Sequence, residues 1–122
     1  MIRKKVLLST FTGIVISMFA FAADITGTWT ASFDTQIGVQ NYTYTFKVEG
    51  NKLTGHVKSQ YLDGDISEGT VEGEDISFVE NLTFEGMPLR IVYKGKISGD
   101  EIKLTRNVAD IATEEAVAKR AK

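Results

Sequence analysis

The 122-residue sequence contains no cysteine and only one histidine, His56. Without cysteine the chain can form no disulfide and has no residue for lipid attachment at a bacterial lipoprotein leader. A single histidine without any thiolate falls short of the ligand set that zinc or copper requires. Because His56 should point outward from its strand, we predict a solvated surface residue, no metal site and no cofactor.

Motifs of common enzyme classes are also missing. The sequence has no serine-nucleophile motif, no glycine-rich phosphate loop and no pair of carboxylates expected on one inward face. Asp63, Asp65 and Glu68 in "LDGDISE" hint at calcium, but their spacing lacks the EF-hand pattern, and an acidic loop explains them more simply. We therefore predict that the protein is not an enzyme.

The one long apolar run lies at the N-terminus, in "MIRKKVLLSTFTGIVISMFAFA". Three basic residues, a short apolar stretch and Ala-Phe-Ala predict a signal peptide over residues 1–22, in preference to a membrane anchor. Residues 23–122 would then form a single secreted or periplasmic domain with no membrane span. Loss of Arg3, Lys4 and Lys5 takes the formal net charge from −2 to −5, which argues against nucleic acid as a partner.

A short motif centred on glycine occurs three times, in "KVEGNKLTG", "TVEGEDISF" and "KISGDEIKLT". Glycine at the first position of a two-residue loop is typical of a type II′ hairpin turn. Each motif therefore predicts one β-hairpin, with a turn at Gly50, Gly73 or Gly99. The turns set apolar residues opposite each other: Val48 and Leu53, Val71 and Ile76, Ile97 and Ile102.

Period-two alternation extends these hairpins into seven predicted strands, at 25–33, 41–49, 52–61, 65–72, 75–85, 89–98 and 101–108. The last segment, 113–122, has a helical composition, but an eighth strand there would close the sheet and remove its edges. We predict an all-β fold, an up-and-down antiparallel β-barrel of about eight strands. The glycine turns would lie at one end, the closed end, and longer loops at the other, the open end.

The segment "TGTWTASF" resembles the Gly-x-Trp signature that opens the first strand of lipocalins and related calycin barrels. Gly27, Thr28 and Trp29 carry the resemblance, which extends to the predicted topology of most of residues 23–122. It implies a lipocalin-like fold of the small kind that bacteria export. It also implies that a late basic residue packs on the tryptophan at the closed end, and Arg120 is the matching candidate. A ligand is not implied, because one fold serves many functions.

The hairpin registers place several polar residues inside the barrel, and we take these as candidate ligand-binding residues. With Phe84 assumed to face Leu89, Glu80 lies opposite Tyr93, and Tyr93 opposite Arg106. Arg106 could grip an anionic ligand, or Glu80 and Arg106 could pair through the Tyr93 hydroxyl, which we favour. The strand alternation also turns Ile66 outward, so a bulge is expected near Ser67 or Glu68. The candidates are Tyr42, Tyr44, Tyr93, Arg106 and Glu80.

Three function classes follow from this reading. The first is a monomeric carrier that binds a small hydrophobic or amphipathic ligand through the open end. The second is a protein-interaction module, an inhibitor or envelope-associated factor, whose barrel is filled with side chains. Its contacts would come from exposed Ile37, Val39, Leu62 and Met87 in the loops of the open end. An enzyme ranks last.

Overall fold

Antiparallel strands account for most of residues 24–121, the part of the chain that the structure, a computed structural model, describes. The predicted signal peptide at 1–22 lies outside the described residues. No helix capable of crossing a membrane occurs between 24 and 121. The strands are β1 (Gly27–Thr35), β2 (Gly38–Glu49), β3 (Lys52–Lys58), β4 (Asp63–Asp65), β5 (Ser67–Glu72), β6 (Asp75–Phe84), β7 (Met87–Ser98), β8 (Glu101–Val108) and β9 (Ala112–Arg120).

The strands close into a barrel because β1 pairs with β2 on one side and with β9 on the other. The other pairings join neighbours along the chain, except that β3 pairs with both β4 and β5. β4 and β5 follow the same edge of β3, so they are two halves of one interrupted barrel strand. The result is a closed, eight-stranded, up-and-down antiparallel barrel, which confirms the predicted fold class. The segment after residue 112, whose composition is typical of a helix, is a strand, β9. This confirms the prediction that a last strand closes the sheet and removes its two edges.

The three glycine turns form as predicted and close one end of the barrel. Gly50, Gly73 and Gly99 have φ values of 63°, 61° and 62°, which suits the first loop position of a type II′ turn. Their hairpins have the predicted apolar pairs, Val48 with Leu53, Val71 with Ile76, and Ile97 with Ile102.

Two loops of the open end are shorter than the sequence suggested. β1 and β2 are joined by residues 36–37 alone, and β6 and β7 by Glu85 and Gly86. Glu85 and Gly86 both have positive φ, which lets a two-residue turn follow the twist of its strands. Pro88 does not end the hairpin, because it is only the second residue of β7, where a missing N–H costs little.

The short turn corrects the predicted register of β6 against β7. Phe84 faces Met87 instead of Leu89, so every pair in this ladder moves by two residues. Glu80 lies opposite Ile91, and Tyr93 lies opposite Phe78. The expected direct pairing of Glu80 with Tyr93 is therefore wrong, whereas the pairing of Tyr93 with Arg106 across β7 and β8 is confirmed.

A bulge interrupts β5, as expected. The ladder with β6 shifts between Ser67 and Thr70, and Glu68 adopts a φ of 53°. The extra residue turns Ile66 into the core, where it is 8% exposed. Gly69 lies beside the bulge against the backbone carbonyl of Leu53, in a space that no Cβ atom could share. This close backbone approach explains why residue 69 is a glycine.

Trp29 plugs the closed end of the barrel. Its side chain is fully buried, and its indole Nε1 donates a hydrogen bond of 2.9 Å to the Ile25 carbonyl. The guanidinium of Arg120 lies 4.5 Å from the centroid of the Trp29 ring, and the two residues face each other across the β1–β9 ladder. The expected packing of Arg120 on Trp29 is confirmed.

Aromatic side chains fill the middle of the barrel. Tyr44 stacks on Phe46 with ring centroids 5.5 Å apart, and Phe78 stacks on Tyr93 at 4.4 Å. Tyr44 meets both Phe78 and Tyr93 edge to face. These rings are almost wholly buried and so occupy the volume that a deep ligand cavity would need.

Candidate functional site

A pocket of about 170 Å³ opens at the open end, above the aromatic core. We call it the open-end pocket. Its walls come from the open-end parts of β1, β2 and β6 to β9 and from the loops of that end, and they are mainly apolar. The apolar lining residues are Ile37, Tyr61, Leu82, Phe84, Leu89, Ile91, Val108, Ile111 and Ala112. The polar ones are Thr35, Gln36, Gln40, Tyr42, Arg106 and Glu114.

Arg106 lies at the pocket with its guanidinium held by Glu114. The two residues are opposite each other in the β8–β9 ladder. Arg106 Nε donates to Glu114 Oε1 at 2.7 Å, and Nη2 lies 2.7 Å from the same oxygen. Nη1 donates to the Tyr93 hydroxyl at 3.0 Å. The cation is thus neutralised by a partner that sequence reasoning missed.

Aromatic rings also contact the Arg106 guanidinium. Its carbon lies 4.0 Å from the centroid of Phe33 and 4.9 Å from that of Tyr42. Such contacts stabilise a desolvated cation by adding the attraction of the ring quadrupole. Because the Arg106 side chain is only 3% exposed, the site is built around a fixed cation and not a mobile surface arginine.

Glu80 is the second buried carboxylate of the region, at 1% exposure. Its Oε1 accepts a hydrogen bond of 3.0 Å from the Tyr93 hydroxyl, which in turn accepts one of 2.9 Å from Tyr44. Among residues 24–121 no group donates to Glu80 Oε2. Burial raises the pKa of Glu80 to about 7, against the lowering effects of the Tyr93 hydrogen bond and the Arg106 charge.

Four of the five predicted site residues are hydrogen-bonded through the Tyr93 hydroxyl, and the fifth, Tyr42, packs its ring against Arg106 and Tyr44. The five lie at two depths. Tyr42 and Arg106 line the open-end pocket. Tyr44, Tyr93 and Glu80 lie in the sealed interior and do not line the pocket. The Tyr93 hydroxyl bridges Glu80 and Arg106, as the favoured hypothesis had it, but the ion pair of Arg106 is with Glu114.

The signal for Glu114 was present in the sequence as alternation. Ala112, Glu114, Ala116 and Ala118 share the inward face of β9, so the one charged residue among three alanines must lie inside. The loop before β9 carries no two-residue turn signal. The sequence therefore does not predict the register of β9 against β8, and without that register Glu114 cannot be placed beside Arg106.

His56 points outward, as predicted, but it is not simply solvated. Its Nε2 lies 2.5 Å from Asp63 Oδ1 and its Nδ1 lies 3.1 Å from Asp65 Oδ1. The hydrogen bond that Asp65 accepts from the ring, and then the one that Asp63 accepts, raises the pKa of His56 above its ordinary value of 6.5. The two carboxylates bind opposite sides of the ring, and residues 24–121 contain no cluster of such groups that could hold a metal ion.

Comparison with known proteins finds no family model that matches the chain and no curated protein that is detectably similar to it. Function must therefore be argued from the geometry of the barrel and its pocket.

Proposed function

We propose that this protein is an exported, monomeric, lipocalin-like barrel that binds a small, partly apolar ligand at its open end and does not catalyse a reaction. The open-end pocket is the observation that carries the proposal. It combines apolar walls with a few fixed polar groups, the usual composition of a small-molecule site.

The size of the pocket limits the ligand. A closed apolar cavity of about 150 Å³ is enough to hold one benzene ring. At about 170 Å³, the open-end pocket can take one ring or a short branched chain, and the rest of a larger ligand would extend into solvent. The aromatic core below leaves no room for deeper insertion, since Tyr44, Phe46, Phe78 and Tyr93 are almost wholly buried.

The lipocalin-like part of the proposal has support at the closed end. Gly27, Thr28 and Trp29 begin β1 as the Gly-x-Trp signature does, and Arg120 stacks on Trp29 from the last strand. The export part of the proposal is supported by the leader-like sequence of residues 1–22, which has basic, apolar and small-residue segments in that order.

Filling the pocket tests the proposal. Benzyl alcohol should shift amide resonances of pocket residues in the unaltered protein. Ala112→Leu places a larger side chain in the pocket and should abolish those shifts. Thr113→Leu adds the same side chain to the same strand on its exposed outer face and should leave binding intact. Binding that survives Ala112→Leu, or shifts confined to the outer wall, would contradict the proposal.

Exposed apolar residues at the open end favour a second candidate, a protein-interaction module. Ile37, Met87 and Ile111 are 56%, 64% and 76% exposed, and Val39 is 60% exposed. The predicted exposure of Leu62 is wrong, because its side chain is half-buried and packs against the core. A photocrosslinker at position 111 should then give one discrete protein adduct in the native host, and a crosslinker at Thr30 on the outer wall should give none.

A further inference from the structure

The charges around the open-end pocket do not suit an anionic ligand. An anion would need Arg106, yet three nitrogens of its guanidinium already contact Glu114 or Tyr93, and its faces contact Phe33 and Tyr42. A carboxylate or phosphate could reach Arg106 only by displacing Glu114. That exchange would leave the Glu114 charge unpaired in a partly buried place, at a large cost.

Glu114 offers an acceptor to the pocket. Both contacts from Arg106 fall on its Oε1, and no group among residues 24–121 donates to its Oε2. The Glu114 side chain lines the pocket and is 13% exposed, so a ligand can reach it and water competes only weakly. A carboxylate oxygen with open lone pairs recognises a hydrogen-bond donor, and it binds a charged donor most strongly.

Glu80 adds a second negative group to the same region. It lies in one row of the sheet with Ile91, Val108 and Ala112, all three of which line the pocket. Its Oε2 has no donor in the described chain. Arg106 thus has Glu114 in direct contact and Glu80 one hydroxyl away, so this region carries one net negative charge whenever Glu80 is ionised. A cation at the pocket would restore the balance.

We infer that the open-end pocket takes a small primary amine, with its ammonium group at Glu114 Oε2 and its apolar body against Tyr61, Phe84 and Ile111. This inference rests on the proposed function, because it names the class of ligand for the same pocket.

Three probes of one ring size test the inference on the unaltered protein: benzylamine, benzyl alcohol and benzoate, each titrated while amide resonances are followed. We expect benzylamine to bind about tenfold more tightly than benzyl alcohol, as a charge-assisted hydrogen bond predicts. Benzoate should bind most weakly. Benzyl alcohol or benzoate binding as tightly as benzylamine would overturn the inference and leave the proposed function standing. If none of the three binds, both fail.

A variant locates the contact. Glu114→Gln keeps the shape of the side chain but removes its charge, so it should weaken benzylamine binding about tenfold and change benzyl alcohol binding little. If that variant does not fold, Glu80→Gln is the substitute, since it removes the other carboxylate without touching the Arg106 pair. The ratio of benzylamine to benzoate affinity should then fall. An unchanged ratio in whichever variant folds would overturn the inference.

Discussion

Glu114 lies directly opposite Arg106 in the β9–β8 ladder, and its Oε1 accepts a hydrogen bond of 2.7 Å from Nε of the guanidinium and lies 2.7 Å from Nη2. This pair decides what the interior can do. It neutralises the charge of Arg106 inside the barrel, and it places a carboxylate at the wall of the open-end pocket. Arg106 is therefore a structural cation that shapes the site, and Glu114 is the group that a ligand meets.

Breaking this pair from one side should be costly. Glu114→Gln leaves the Arg106 cation buried without a charged partner, at a cost of roughly 3 kcal/mol in the free energy of unfolding. Adding Arg106→Met should recover much of that loss, because no buried charge then remains unpaired. Urea unfolding of both single variants and the double variant measures the coupling. Glu115→Gln, on the exposed face of β9, is the matched control and should unfold with the parent. Strictly additive losses would show that the pair is not coupled.

The buried carboxyl of Glu80 should make stability fall as pH rises. Burial raises the pKa of Glu80 from 4.5 to about 7 in the folded protein, so the folded state holds this proton more tightly than the unfolded chain does. The corresponding stability is fully present below pH 4.5 and is lost as pH rises through 7. The loss should be roughly 3 kcal/mol.

Glu80→Gln isolates this effect, because the amide can accept the Tyr93 hydrogen bond and carries no charge. The variant should be more stable than the parent above pH 7, and the gap should narrow as the pH falls toward 4.5. Denaturant unfolding across this range is the measurement. Parallel stability curves for parent and variant would mean that Glu80 does not titrate in the folded protein.

The stack of Arg120 on Trp29 predicts a shielded fluorophore at the closed end. Trp29 should emit at short wavelength and resist iodide quenching, because its side chain is fully buried. Arg120→Ala removes the covering guanidinium and its hydrogen bond to the Thr26 carbonyl. Stability should fall by about 1 kcal/mol, and quenching should rise. Lys119→Ala, beside it on the exposed face, serves as the control. Efficient iodide quenching of Trp29 fluorescence in the parent protein would contradict this packing.

Because two carboxylates contact its ring, His56 should stay protonated to a higher pH than an ordinary histidine does. The pKa of His56 should exceed 6.5, and Asp65→Asn or Asp63→Asn should lower it. The stability from these contacts is present below pH 6.5 and is lost as pH rises through the folded pKa. An NMR titration of the imidazole measures the shift, with Asp34→Asn on β1 as a control. An unchanged pKa in both variants at positions 63 and 65 would show that these contacts do not form in solution.

The glycine turns made most of the barrel predictable from sequence. A two-residue turn at Gly50, Gly73 or Gly99 fixes the register of its hairpin completely, and alternation then assigns every inward residue. The predicted strand register is wrong where the sequence shows no such turn. The Glu85-Gly86 turn is followed by Pro88, which favours a longer loop between residues 85 and 89, and the register predicted from that loop is off by two residues along the whole β6–β7 ladder.

The site was harder to predict, since it depends on which strands meet across loops without a turn signal. The bridge at the Tyr93 hydroxyl could be predicted because β7 and β8, which carry Tyr93 and Arg106, are joined by the turn at Gly99. Glu114 was missed because the loop before β9 set no register. The paired carboxylates on His56 depend on β4, a three-residue strand too short to show any alternation.

Native mass spectrometry of the protein isolated from its own host, without denaturation, tests most directly whether the open-end pocket holds a ligand. We predict a population heavier than the polypeptide by one small molecule. That molecule should be lost on gentle activation and should be absent from Ala112→Leu protein prepared in the same way. Parent protein that carries only its polypeptide mass, or an adduct retained in Ala112→Leu, would contradict a carrier that binds through its open end.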